Sequence, residues 1–292
     1  MSEVASARLR ELKSRGGFFR IGPRARFSVC GPDARRYLNG QVTIDVGKIP
    51  ESTSRSACLL TAKGKICAVG FVWARGADFL FEGPASIREE LQARLERYLI
   101  ADDVTVTDES REDAGVHVFG SAFPAVGRRI SRLGIPGYDI EAPPGGAIEA
   151  SDDEIDTLRI LHGVPGWGTE IDTDTLVQEV RLEETSVDFD KGCYVGQEVV
   201  SRLKSVGRVN RRLHGFLGDF QQTLKMPVRL APVARPNESA GTLTSIQRDF
   251  ELARTVALGY LHRNFEDVDR FLATDPSGQM LGEVEKREFP IS

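Results

Sequence analysis

Apolar and polar positions along the chain follow two rhythms, and the changes between them predict the elements. Residues 5 to 13 carry a helical period that stops at Gly16-Gly17. "FFRIGPRARFSVCG" alternates and is β-branched, predicting one or two strands. "GPDARRYLNGQVT" reads as a turn feeding a helix, with Asp33 as N-terminal cap and Gly40 as a left-handed stop. "SACLLTAKGKICAVGFVWARGADFLFEG" predicts strands that turn at Lys63-Gly64-Lys65 and again at Arg75–Asp78, with Cys58 and Cys67 as small buried hydrophobes.

"SIREELQARLERYLIADDVTVTD" sets Leu91, Leu95, Tyr98 and Leu99 on one helical face, and a strand follows. "AGVHVFG" adds a strand, and "SAFPAVGRRI" predicts a short helix. The Gly- and Pro-rich stretch 134–150 reads as a strand edge and linker, and Ser151 then caps a helix with acids in its first turn. From about 213 the pattern becomes short strands divided by turns, as in a small β-barrel or sandwich. The expected fold class is α+β, in parts spanning 1–134, 135–212 and 213–292.

Composition narrows the function classes. The 292 residues carry a net charge of −5, which argues against a whole-protein polyanion binder but leaves room for a local basic groove. Four scattered cysteines without a Cys-x-x-Cys pair argue against a zinc or iron–sulfur cage and for a reducing compartment. The N-terminus lacks a secretory apolar core and no run reaches the roughly 20 apolar residues of a membrane span, so the expected location is cytoplasmic. "LLTAKGKICA" is not a phosphate loop, because neither the Walker glycine nor the following Ser/Thr is present.

The chemistry concentrates in "DFDKGCYVGQEVVSR", 188–202. Acids dominate upstream of it, and no acid occurs from Val199 to Leu217, where Arg202, Lys204, Arg208, Arg211 and Arg212 lie. Beside Lys191 and this basic run, the Cys193 thiol is expected to ionise more readily than a free one. Its two glycines would let the backbone approach a ligand. On spacing alone, a cysteine in a turn beside a solvated charged face is the better reading. The basic run has no interleaved aromatics, so RNA contact is a weak reading and nucleic acid is not expected as a partner.

"KGCYVGQEVVSR" resembles the Lys-Gly-Cys-Tyr-x-Gly-Gln-Glu signature of the YgfZ family of folate-binding proteins, relatives of the glycine-cleavage T-protein. "VCGPDARRYLNGQVTIDV", "LLTAKGKICA", "RILHGVP" and "LVQEVRLEETSVDFDKGC" resemble further blocks of that family. The resemblance implies a T-protein-like three-part ring with a ferredoxin-like part and a C-terminal β-barrel. It implies tetrahydrofolate or a derivative, polyglutamylated forms included, in a central channel. It also implies iron–sulfur assembly proteins or client enzymes as partners and no membrane.

Carried onto this sequence, it makes Cys193 the reactive thiol beside the folate, with Lys191 tuning it or meeting the glutamate tail. Tyr194, Gln197, Glu198, Arg202, Gln41 and Trp167 become folate-binding candidates, with Arg202, Lys204 and Arg208 expected to attract the anionic tail. Two departures stand out. Aminomethyltransferases carry a carboxylate pair where this chain has Ile66-Cys67-Ala68-Val69, which disfavours the alternative of an aminomethyl or one-carbon transferase. Tryptophans that YgfZ proteins place against folate correspond here to Arg24 and Ile155, with Trp167 near the second.

Overall fold

The structure is a computed structural model that describes residues 2–120, 127–205, 207–220 and 225–291. Helix α1 (Ser2–Arg15) ends at Gly16, whose φ of +93° admits no side chain without strain. Strands β1 (Gly17–Arg20) and β2 (Arg24–Cys30) follow, then α2 (Ala34–Gln41). Three strands come next, β3 (Arg55–Leu60), β4 (Ile66–Arg75) and β5 (Asp78–Pro84). Helix α3 (Arg88–Glu96) leads to β6 (Thr105–Asp108), β7 (Val116–Phe119), β8 (Arg128–Ile130) and β9 (Gly137–Ile140). Helix α4 (Asp152–Leu161) and, after a long irregular stretch, α5 (Gln197–Ser205) complete the α-helices of the described residues.

Strands β2 to β6 form a five-stranded sheet in the order β3-β4-β5-β2-β6, and β1, β7, β9 and β8 form a four-stranded one. The remaining strands are β10 (Arg211–Gly218), β11 (Val228–Pro232), β12 (Gly241–Asp249), β13 (Arg254–His262), β14 (Arg270–Thr274) and β15 (Met280–Arg287). They close into a barrel, which leaves no free sheet edge.

Period-two alternation decides which face of the five-stranded sheet is which. Ala57, Leu59, Ala68 and Val72 point to the core that α2 and α3 cover through Tyr37, Leu38, Leu91 and Leu95. Ser56, Val69 and Phe71 point the other way, into a cavity. Both hairpin turns fall where the sequence puts them, with Gly64 at φ +74° and Gly76 at φ +65°. Ser151 caps α4 in a full capping box with Glu154. No helix of the described residues is long and apolar enough to cross a membrane.

Three local expectations need correction. Gly40 lies within α2 rather than stopping it, and the Asp33 carboxylate makes no cap bond; it accepts instead from the Asp103 amide at 3.0 Å. β9 is no edge strand, since β7 and β8 pair on its two sides. In "SAFPAVGRRI", residues 121–126 lie outside the described residues, and Arg128–Ile130 is strand, not helix.

Candidate functional site

A cavity of about 720 Å³ opens where the two sheets, α4 and the irregular stretch 162–185 meet. That volume lies within the ~300–1,000 Å³ range of small-ligand sites. Its wall mixes aromatic and apolar groups, among them Phe19, Phe71, Ile155, Trp167 and Phe289, with Arg24, Arg132, Arg159 and Arg181.

Two buried charge clusters set this wall. In the first, Glu82 on β5 is fully buried and accepts from Arg26 at 2.6 Å and from Arg132. Asp139 on β9 accepts from Arg128 at 2.9 Å, Arg132 at 2.7 Å and the His117 ring at 3.0 Å. Arg132 therefore bridges the two sheets. Against the opposing pull of burial, Arg132, Arg24 and Arg26 hold Glu82 below the usual carboxylate range, and the His117 hydrogen bond together with Arg132 does the same for Asp139. Burial keeps His117 below its usual value. In the second, the buried Glu170 accepts from Arg159 at 3.0 Å, the Gly166 amide at 2.7 Å, Thr244 at 2.7 Å and Ser245 at 2.6 Å. It ties the turn that carries Trp167 to barrel strand β12, so Trp167 sits on a fixed support.

The signature loop lies elsewhere. Val195 N–H donates to the Gly40 carbonyl at 3.1 Å, Asp188 N–H to Thr43 at 2.9 Å, and Asp45 N–H to the Asp188 carboxylate at 2.7 Å. The Lys191 ammonium turns inward and donates to the carbonyls of Asn39, Val42 and Ile44 at 2.6, 2.7 and 2.6 Å. Burial is the largest influence on it and pulls its pKa down to about 8, which leaves it protonated at neutral pH with three donors matched to three acceptors. No donor remains for a glutamate tail in this arrangement.

Gly196, at φ +87°, does make a close backbone approach, but to the chain's own β3–β4 turn. A Cβ there would lie 2.6 Å from the Thr61 carbonyl oxygen. Gly196→Ala should therefore destabilise the protein by about 1–3 kcal/mol, read as a lower urea midpoint at unchanged m. An unchanged midpoint would refute the packing.

The sequence-predicted residues thus fall into two places. Trp167 lines the cavity; Cys193, Lys191, Tyr194, Gln197, Glu198, Arg202 and Gln41 do not. Cys193 is an exposed free thiol. Glu198 and Arg202 are exposed on α5, and Gln197 is half-buried at its start. Tyr194 is buried with Lys191 under its ring, and burial pushes its hydroxyl up to about 12. Gln41 is buried and accepts from Arg94 at 2.8 Å. The two aligned tryptophan positions, Arg24 and Ile155, both lie on the cavity wall. In the Ile66–Val69 segment it is Val69 that faces the cavity, while Ala68 belongs to the opposite core.

No protein-family model matches the chain. A mitochondrial iron–sulfur cluster assembly factor IBA57 homolog of Pyricularia oryzae is 30% identical over 68% of this chain, which spans only 56% of that relative's length. A tRNA-modifying protein YgfZ of Pectobacterium atrosepticum is 25% identical over 65% of this chain and 67% of its own. The crystal structure of glycine cleavage system aminomethyltransferase T from Bartonella henselae superposes with a TM-score of 0.78 at 16% identity, covering 98% of this chain and 89% of that one. These relatives and this fold together support a YgfZ-family, T-protein-like protein.

Within this family fold, sequence reasoning missed Glu82, Arg132, Asp139 and Glu170, the charged groups that shape the cavity. A sequence signal existed only for the last, an acid inside the run of acids before the signature.

Proposed function

We propose that this protein binds tetrahydrofolate or a derivative in the 720 Å³ cavity and supports iron–sulfur cluster assembly or repair, with Cys193 as its reactive thiol. The observation that carries the folate half is that Arg24, Ile155 and Trp167, the positions implicated by the resemblance, all line one cavity although Arg24 is more than a hundred residues from the others in sequence. A pterin ring would stack on Trp167, held by the Glu170 knot. The iron–sulfur half is supported by the relatives' names, which point to cluster assembly and tRNA modification. The exposed Cys193 is open to a partner protein. A one-carbon transferase is the weaker reading, because Val69 rather than a carboxylate faces the cavity from the Ile66–Val69 segment.

Titration with 5-formyltetrahydrofolate tests the folate half. Binding should quench the fluorescence of Trp167, and Trp167→Ala should weaken it ~10-fold, the loss of roughly 1.4 kcal/mol of stacking and burial. No heat and no quenching at millimolar ligand would remove the folate reading. For the thiol, Cys193→Ser should leave the fold intact yet fail to restore iron–sulfur enzyme activities in cells lacking the protein. Full restoration would remove Cys193 from the mechanism.

A further inference from the structure

The charge cluster beside the cavity does not balance. Arg24, Arg26, Arg128 and Arg132 surround only two carboxylates, Glu82 and Asp139. The His117 ring, neutral at pH 7 because burial lowers its pKa, adds nothing to the sum. Two positive charges are therefore in surplus around carboxylate side chains that are 0% and 5% exposed.

Three of the four guanidiniums are committed, for Arg26, Arg128 and Arg132 each hydrogen-bond a carboxylate. Arg24 is the exception. Its Nε lies 3.5 Å from Glu82 Oε1, an ion pair without a hydrogen bond, and this buried nitrogen has no hydrogen-bond partner among the described residues. The side chain is 24% exposed and lines the cavity. Of the other wall cations, Arg159 holds Glu170 and Arg181 pairs with Glu184 at 3.1 Å. Among these wall cations, Arg24 alone brings to the cavity a guanidinium that shares the charge of Glu82 but makes no hydrogen bond among the described residues, in a field that already favours an anion.

We propose that Arg24 is the seat of an anionic group of the cavity's ligand, a carboxylate gripped by the guanidinium fork. A planar carboxylate matches this fork with two parallel N–H···O bonds. Burial and the neighbouring Arg132 both depress the Arg24 pKa, so the cation is held at a cost that a bound anion relieves. The identity of the carboxylate, though not the seat itself, rests on the folate reading: it would be one of those on the glutamate tail. This places the tail at the start of β2 and not on Arg202, Lys204 and Arg208, which are exposed on or beyond α5 and absent from the cavity wall.

The test uses two half-ligands. p-Aminobenzoylglutamate carries the carboxylates without the pterin, and tetrahydrobiopterin carries the pterin without a carboxylate. Calorimetry on the full-length protein should show p-aminobenzoylglutamate binding that falls ~10–100-fold in Arg24→Gln and partly recovers in Arg24→Lys, which keeps the charge but not the fork. Tetrahydrobiopterin should bind the wild type and both variants alike. Thermal unfolding checks that the variants fold. Equal binding of p-aminobenzoylglutamate to wild type and Arg24→Gln, or none to the wild type at millimolar concentration, overturns the seat. Were tetrahydrobiopterin still to bind in that case, the folate reading would survive without it. If p-aminobenzoylglutamate binds through Arg24 while tetrahydrobiopterin binds nowhere, the seat stands and the pterin reading falls.

Discussion

Lys191→Met should lower the unfolding free energy by about 3–5 kcal/mol while removing no exposed feature of the molecule. The ammonium is the common donor to the carbonyls of Asn39, Val42 and Ile44, where the chain leaves α2. Methionine keeps the length and apolar stem of lysine but leaves these acceptors without a partner in a region that water reaches poorly. Each unsatisfied buried acceptor costs ~1–3 kcal/mol, and partial relaxation or water entry brings the sum below the simple total. Cys193→Ala, two residues away, removes an exposed side chain and should stay within about 0.5 kcal/mol. Urea unfolding of the two variants separates what holds the signature loop from what the loop presents. A Lys191→Met loss below 1 kcal/mol would mean that the inward-facing ammonium is not what anchors it.

That pair of residues also shows where sequence reasoning reached and where it stopped. Hairpins, the α4 capping box and the strand-rich C-terminus were legible because each depends on neighbours within a few residues: a glycine in a turn, Ser151 with Glu154, alternating side chains. The signature block was legible as a resemblance, yet the physical task of Lys191 was not. Its partners are backbone carbonyls, which every sequence has, so nothing in the residue types marks them. The same blindness explains Gly196, whose neighbour Thr61 is far away in sequence. Gly40 misled for the opposite reason: a local helix-stop signal was overruled by tertiary contact, the Val195 amide bonding the Gly40 carbonyl. The cavity was legible only in fragments. Its wall draws on residues from Phe19 to Phe289, and no local period connects them.

The second large effect belongs to the buried cluster on that wall. Glu82→Gln should destabilise the protein by about 3–5 kcal/mol at pH 7, because it leaves Arg26 and Arg132 with a neutral amide in place of a buried carboxylate and Arg24 with no counter-charge on β5. The pH dependence identifies the cause. Arg132, Arg24 and Arg26 hold the Glu82 carboxyl below its ordinary value of 4.5 although burial, the largest single influence, pushes it up. A carboxyl whose folded-state pKa is depressed contributes stability that is present above the unfolded-state pKa and is lost as pH falls through the folded-state one. The gap between wild type and variant should therefore be flat from pH 7 down to about 5 and close progressively below 4.5. Asp139 titrates in both proteins, so its own contribution largely cancels in the difference. Denaturant midpoints measured from pH 7 to pH 3 read this directly, and a gap that did not narrow on acidification would assign the loss to side-chain packing. The same substitution enlarges the positive surplus beside Arg24 by one charge. Where the variant remains folded, it should bind p-aminobenzoylglutamate more tightly than the wild type, the opposite of Arg24→Gln, because one residue supplies the positive field and the other subtracts from it.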